Sequence, residues 1–185
     1  MSAERQKKQR VPERPMSKSP LLNNIIVAIN GSESSVKAAM YAIMMTRQYS
    51  LNLKFVYVVD TETIKFLSAS KFLVAEESSA YEEDLNRSGK VYLDYVKDLA
   101  SSKGVSCETE LRSGSVWAEV IKAADEYNAD MILLGGHENK TGIPETSTLM
   151  RRSTYARSRT EIVTSAHCPV LVIHKPDLDK LFKIF

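Results

Sequence analysis

The sequence predicts an α/β fold: an open, doubly wound, mainly parallel five-stranded sheet with helices on both faces. Three observations predict it. Strand-like and helix-like segments alternate between about residues 24 and 174. The strand-like runs are mostly short, continuous and β-branched, as expected of strands buried on both faces. Glycines and helix-capping residues sit where one periodicity gives way to the other.

Each element follows from its own residues. Asn24–Asn30 (NIIVAIN) reads as the first strand. Gly31 and Ser32 break it, with Ser32 placed to cap a helix and Glu33 in the favourable first turn. Val36, Ala39, Met40, Ile43 and Met44 then recur at helical spacing. Leu53–Val59 is a second buried strand. Asp60–Ser78 carries Ile64, Phe66, Leu67, Phe72, Leu73 and Val74, too apolar for a free linker, and reads as a short helix or lid over a sheet edge. Ser79-x-x-Glu82 resembles a capping box, opening a long helix with Leu85, Tyr92, Val96 and Leu99 on one face and Gly104 closing it. Val105–Leu111 alternates, so it reads as a strand with one better-buried face. Gly114 and Ser115 lead into a helix whose apolar positions are Trp117, Val120, Ile121 and Ala124. Trp117 and Tyr92 are expected in the core rather than as a stacking platform. Asp130–Gly135 is another apolar strand, followed by the polar, turn-rich segment 136–155. A helix over about 156–166 runs into a final strand, Pro169–His174, which Pro176 stops.

Composition bounds the function. The chain has 185 residues, 43% hydrophobic and 26% charged, enough for one domain with a sizeable core. Residues 1–22 carry six basic side chains against two acids and three prolines, a net +4, and are expected to be a disordered basic tail, with electrostatic tethering as the alternative role. Residues 23–175 form the expected α/β domain and 176–185 a short C-terminal tail. The remainder beyond the basic tail is −2, which does not suit a polyanion binder, so nucleic acid is not expected as a partner. Cys107 and Cys168 cannot make a disulfide framework and read as reduced, small core residues. No run reaches about 18 apolar residues, and no apolar stretch follows the basic N-terminus as in a secretory signal. The expectation is a cytoplasmic protein with no membrane partner.

Sheets of this class bind ligands beyond the carboxyl ends of their strands, where the strand order reverses. That rule gathers Ala28–Ser32, Val58–Thr61 and Gly135–Gly142 near one crevice. His137, His167, His174 and Cys168 lack zinc spacing. Asn139-Lys140-Thr141 is not a P-loop, because Leu134 and Asn139 stand where glycine is needed. There is no G-x-S-x-G and no Ser/His/Asp arrangement that suggests a hydrolase.

Residues 24–36 (NIIVAINGSESSV), Val105–Ile121 (VSCETELRSGSVWAEVI), Ala129–Gly135 (ADMILLG) and His167–Ile173 (HCPVLVI) together resemble the universal stress protein family. The resemblance covers about residues 22–175, with an unfamiliar region near 137–158. It implies a flavodoxin-like fold of the adenine-nucleotide-binding type, a homodimer paired through the last strand (Val170, Leu171, Val172, Ile173), and no enzymatic activity. Many members bind ATP through an acidic residue ending the first strand and a G-x-x-G-x9-G-[ST] loop after the fourth. Here the acidic position is Asn30, and no register restores all three glycines. Counting back from Pro169 puts Ala156 and Arg157 at the final glycine–serine pair, implying an insertion of about eight residues. Lys140, Arg151, Arg152, Arg157 and Arg159 supply cations that can hold an anion by side chains instead. The expected ligand is therefore ATP or another adenine nucleotide held in a non-standard way by Ala28, Ile29, Asn30, Val58, Gly135, Gly136, Gly142, Arg151, Arg152 and Ser153. No other cofactor and no metal is expected. The implied role is a dimeric, cytoplasmic binding or regulatory protein with a protein partner of unknown identity. The alternatives are an interaction scaffold without nucleotide, and a slow nucleotide hydrolase in which Glu138 and Glu145 are the nearby carboxylates.

Overall fold

A computed structural model describes residues 20–69, 75–136 and 146–185; the side chains at 67, 75–78 and 146–155 lie outside that description. Along the chain run β1 (Asn24–Ile29), α1 (Glu33–Tyr49), β2 (Asn52–Asp60), α2 (Thr61–Ala69), α3 (Ala75–Ser102), β3 (Glu108–Gly114), α4 (Val116–Glu126), β4 (Met131–Gly135), α5 (Thr146–Ser165), β5 (Val170–Ile173) and α6 (Leu178–Ile184). The five strands form one parallel sheet in the order β3-β2-β1-β4-β5. This is the doubly wound α/β architecture expected.

Strand alternation divides the core in two. Ile25, Val27 and Ile29 of β1 pack with Phe55 and Val59 of β2 against α1, α3 and α6. Ile26, Val56, Ile132 and Leu134 pack on the other face with Val120, Ala124 and Ile162 of α4 and α5. Both faces of the central strands are covered, which explains why their sequences are continuously apolar. Each fully buried Ile, Val or Phe contributes about 1.5–3 kcal/mol of burial free energy.

The edge strand β3 is held by charge. Lys54 on the neighbouring strand bridges Glu108 at 3.1 Å and Glu110 at 3.4 Å. Arg112, only 11% exposed at its side chain, bonds Glu110 at 2.7 Å, Glu119 at 3.3 Å and Glu126. Burial pulls the Arg112 pKa down, but Glu126 and Glu110 more than offset this and raise it.

Several elements differ from the expectation. α3 begins at Ala75, so Ser79 lies inside the helix rather than capping it; Ala75–Glu77 are themselves able to continue a helix. β3 starts at Glu108, not Val105, because the Val105 N–H bonds Ala100 O to close α3 and cannot enter the ladder. It runs on to Gly114, which pairs with Asp60 at the end of β2. α5 begins at Thr146, ten residues before the expected start, so much of the segment read as turn-rich is helical. Trp117 is 39% exposed, not core: it sits in the first turn of α4, while Val120, Ala123 and Ala124 fill the apolar interior. The short C-terminal segment past Pro176 carries α6. Leu178 and Phe182 of α6 are buried beside α1, Arg47 Nη1 donates to Phe185 O at 3.1 Å, and Lys103 lies over the Phe182 ring. Both cysteines are free and half-buried, in the margins of opposite cores. Burial pushes both thiols up in pKa, Cys107 and Cys168 alike, which keeps them protonated at neutral pH.

Candidate functional site

Strand order reverses between β1 and β4, and a cleft of about 140 Å³ opens at their carboxyl ends. Ala28, Ile29 and Asn30 supply one wall, Val56 and Val58 the floor, and Leu134, Gly135 and Gly136 the other wall. Val116 and Val120 of α4 and Ala156, Ser158, Arg159 and Ile162 of α5 complete it.

The first wall is built by local hydrogen bonds. Asn30 Oδ1 accepts from Ser32 N at 3.0 Å, forming an Asx-type turn. Ser32 Oγ caps α1 by accepting from Ser35 N at 3.2 Å, and Ser35 Oγ donates to Ser32 O at 2.8 Å. Ser32 and Ser34 hydroxyls lie 3.0 Å apart. The turn requires Gly31, whose φ is +78° and whose missing Cβ leaves room for the Tyr92 ring of α3. Tyr92 in turn stacks on Tyr57, ring centroids 6.4 Å apart. With Oδ1 engaged in the turn, the Asn30 amide offers the cleft chiefly its Nδ2 donor.

The second wall is tertiary. A Cβ on Gly135 would come within 2.5 Å of the Ser34 carbonyl carbon, so glycine lets β4 press against the start of α1. Gly136 donates its N–H to Ile173 O at 2.9 Å, tying the wall to β5. Arg159, half-buried, reaches back from α5 to donate Nη1 to Gly135 O at 3.3 Å.

The structure thus brings together six of the expected ligand residues: Ala28, Ile29, Asn30, Val58, Gly135 and Gly136. Gly142 lies outside the described residues. Arg151, Arg152 and Ser153 belong to α5, and their side chains lie outside the description. Val170–Ile173 form β5, an edge strand whose one described neighbour is β4. Sequence reasoning did not assign Ser34, Ser35, Ser158, Val116, Val120 or Ile162 to the site, and it weighed Arg159 only as one of five cations. The available signal was the spacing Ala156, Arg159, Ile162 along one helical face.

Among the described residues no group of three or more His, Cys, Asp or Glu side chains could hold a metal ion. His167 instead pairs with Asp125 at 3.0 Å on the surface. No helix of the described residues is long and apolar enough to cross a membrane.

The sequence and the fold have counterparts among known proteins. A universal stress protein of Methanocaldococcus jannaschii is 30% identical over 159 residues, covering 84% of each chain. A universal stress family protein of Burkholderia pseudomallei superposes with a TM-score of 0.61 at 22% identity, over 84% of this chain and 98% of the other. A family member from Arabidopsis thaliana, solved with AMP bound, gives 0.57 at 16% identity, over 84% and 94%. The model of the universal stress protein family matches residues 22–174, and the chain belongs to that family.

Proposed function

We propose that this protein is a non-catalytic, adenine-nucleotide-binding regulatory module of the cytoplasm, working as a homodimer. The observation that carries the reading is the cleft at the reversal of strand order, where the chain ends of β1 and β4 meet. Its lining is apolar with a few polar groups, the usual character of a small-molecule site. At about 140 Å³ it is smaller than the roughly 300–1,000 Å³ typical of such sites, which suits a flat ring with the rest of the ligand outside. AMP in the Arabidopsis family member supports adenine as that ring. Glu138 and Glu145, the carboxylates that the hydrolase alternative would use, lie outside the described residues.

Dimerisation through β5 follows from its edge position, since a short strand with unpaired backbone groups is a template for another copy. Ligand occupancy would shift the populations of cleft conformations and with them the surface presented to a protein partner.

The test is to denature freshly purified protein and identify any released small molecule by mass spectrometry, then to melt the protein with AMP and ATP. A stoichiometric adenine nucleotide is expected, with a rise of about 5–10 °C in Tm at about 100-fold excess over Kd. An empty protein with no thermal shift favours an interaction scaffold. Light scattering after size exclusion checks the dimer; a monomer at micromolar concentration removes the strand pairing.

A further inference from the structure

We infer that Arg159 is the anion-binding group of the cleft, and that the ligand class it selects is a nucleoside phosphate recognised at the phosphate nearest the ribose. The inference rests on the nucleotide reading above and adds to it the residue and the recognised group.

The reason lies in where α5 begins. An anion at such a site is ordinarily held by free backbone N–H groups at a helix N-terminus. Here the helix starts at Thr146, whereas its cleft-lining residues are Ala156, Ser158, Arg159 and Ile162. Ten residues of helix separate the N-terminus from Ala156, about 15 Å at 1.5 Å per residue. The N–H groups beside the cleft are therefore spent on the helix's own carbonyls and cannot cradle a phosphate. The dipole's effect also fades beyond the first turn.

On the α5 side of the cleft the positive charge therefore comes from a side chain, and Arg159 is the one cation among the described cleft-lining residues. Its guanidinium carries five N–H donors and stays charged at any physiological pH. Among the described residues its one hydrogen-bond partner is Gly135 O, and no carboxylate lies within ion-pair distance of it. By contrast, Arg112 meets three glutamates and Arg87 meets Asp84. A half-buried guanidinium with most of its donors unspent among the described residues suits a phosphate oxygen pair. The bond to Gly135 O also aims it, fixing the group at the end of β4, in a lining that also contains Asn30. A charge placed at the cleft itself reads the proximal phosphate rather than a distant one.

The experiment compares adenosine, AMP and ATP by calorimetry on the full chain and on Arg159→Ala, Arg159→Lys and Arg157→Ala. Arg157 is exposed and does not line the cleft, so it controls for net charge. In the unaltered protein AMP should bind about ten- to a hundredfold tighter than adenosine. Arg159→Ala should erase that ratio, Arg159→Lys should keep part of it, and Arg157→Ala should keep nearly all. Thermal melts without ligand confirm that each variant is folded. An AMP-to-adenosine ratio unchanged in a folded Arg159→Ala protein, or in folded Arg159→Gln where the alanine variant does not fold, overturns the role of Arg159 and leaves the nucleotide reading standing. A phosphate advantage that appears only with ATP overturns the proximal-phosphate assignment. Failure of all three ligands to bind overturns the nucleotide reading together with this inference.

Discussion

The two walls of the cleft are made in different ways. The β1–α1 wall is a turn of six residues whose hydrogen bonds run among Asn30, Ser32, Ser34 and Ser35. The β4–α5 wall is assembled from parts distant in sequence: Gly135 touches Ser34, Gly136 bonds Ile173, and Arg159 returns over twenty-four residues to Gly135. A wall closed by local bonds is carried by its own residue types. A wall closed by tertiary contacts depends on how far a helix extends and which of its turns meets the sheet.

The largest expected effect falls where the two walls touch. Gly135→Ala places a methyl group against backbone at 2.5 Å, which cannot rotate away, and should cost about 3 kcal/mol or more with loss of ligand binding. Chemical denaturation measures it; a cost under about 1 kcal/mol means the walls can move apart freely. Gly31→Ala should cost about 2–3 kcal/mol, part from its φ of +78° and part from overlap with Tyr92. In a Tyr92→Ala background the overlap share should vanish while the backbone share stays, a non-additivity that a double-mutant cycle reads.

Next comes the local wall alone. Ser32→Ala removes the cap of α1 and should cost about 1 kcal/mol, with little change at the β4–α5 wall seen by amide exchange of Gly136. If that amide exchanges as fast as the turn, the walls behave as one unit.

The smallest effect is electrostatic and lies outside both walls. Arg112 holds the Glu126 carboxyl below its ordinary pKa, chiefly through their hydrogen bond. A depressed folded-state pKa gives stability present above the unfolded value and lost as pH falls through the folded one. The pair's contribution should thus fade on acidification below about pH 4.5, and Arg112→Ala should flatten the melting temperature against pH in that range. An unchanged slope shows the Arg112 cluster to be neutral for stability, while cleft affinity should be indifferent to the substitution in either case.

Much of this was legible in the chain. Five strands, their parallel order of connection and the first wall follow from apolar periodicity and from a Ser cap behind a glycine, both short-range signals. Ser32 capping and the Gly104 helix end occur where the residue types require them. Misplaced boundaries have a common cause. Val105 looked like strand because it is apolar, but its N–H closes α3. Ser79 looked like a cap, but a helix already under way runs through it.

By itself, then, the sequence determined the sheet and the place of the crevice, because these rest on periodicities and turns that each residue's own backbone preferences enforce, while its motifs carried the resemblance to the family. Tertiary structure alone decided that α5 reaches back to Thr146, that Arg159 lies against Gly135, and that the last residues pack on α1 as α6. Helix length in a polar segment has no strong local signal. Which turn of a helix meets a strand end is set by packing over the whole core, and no window of neighbouring residues contains that information.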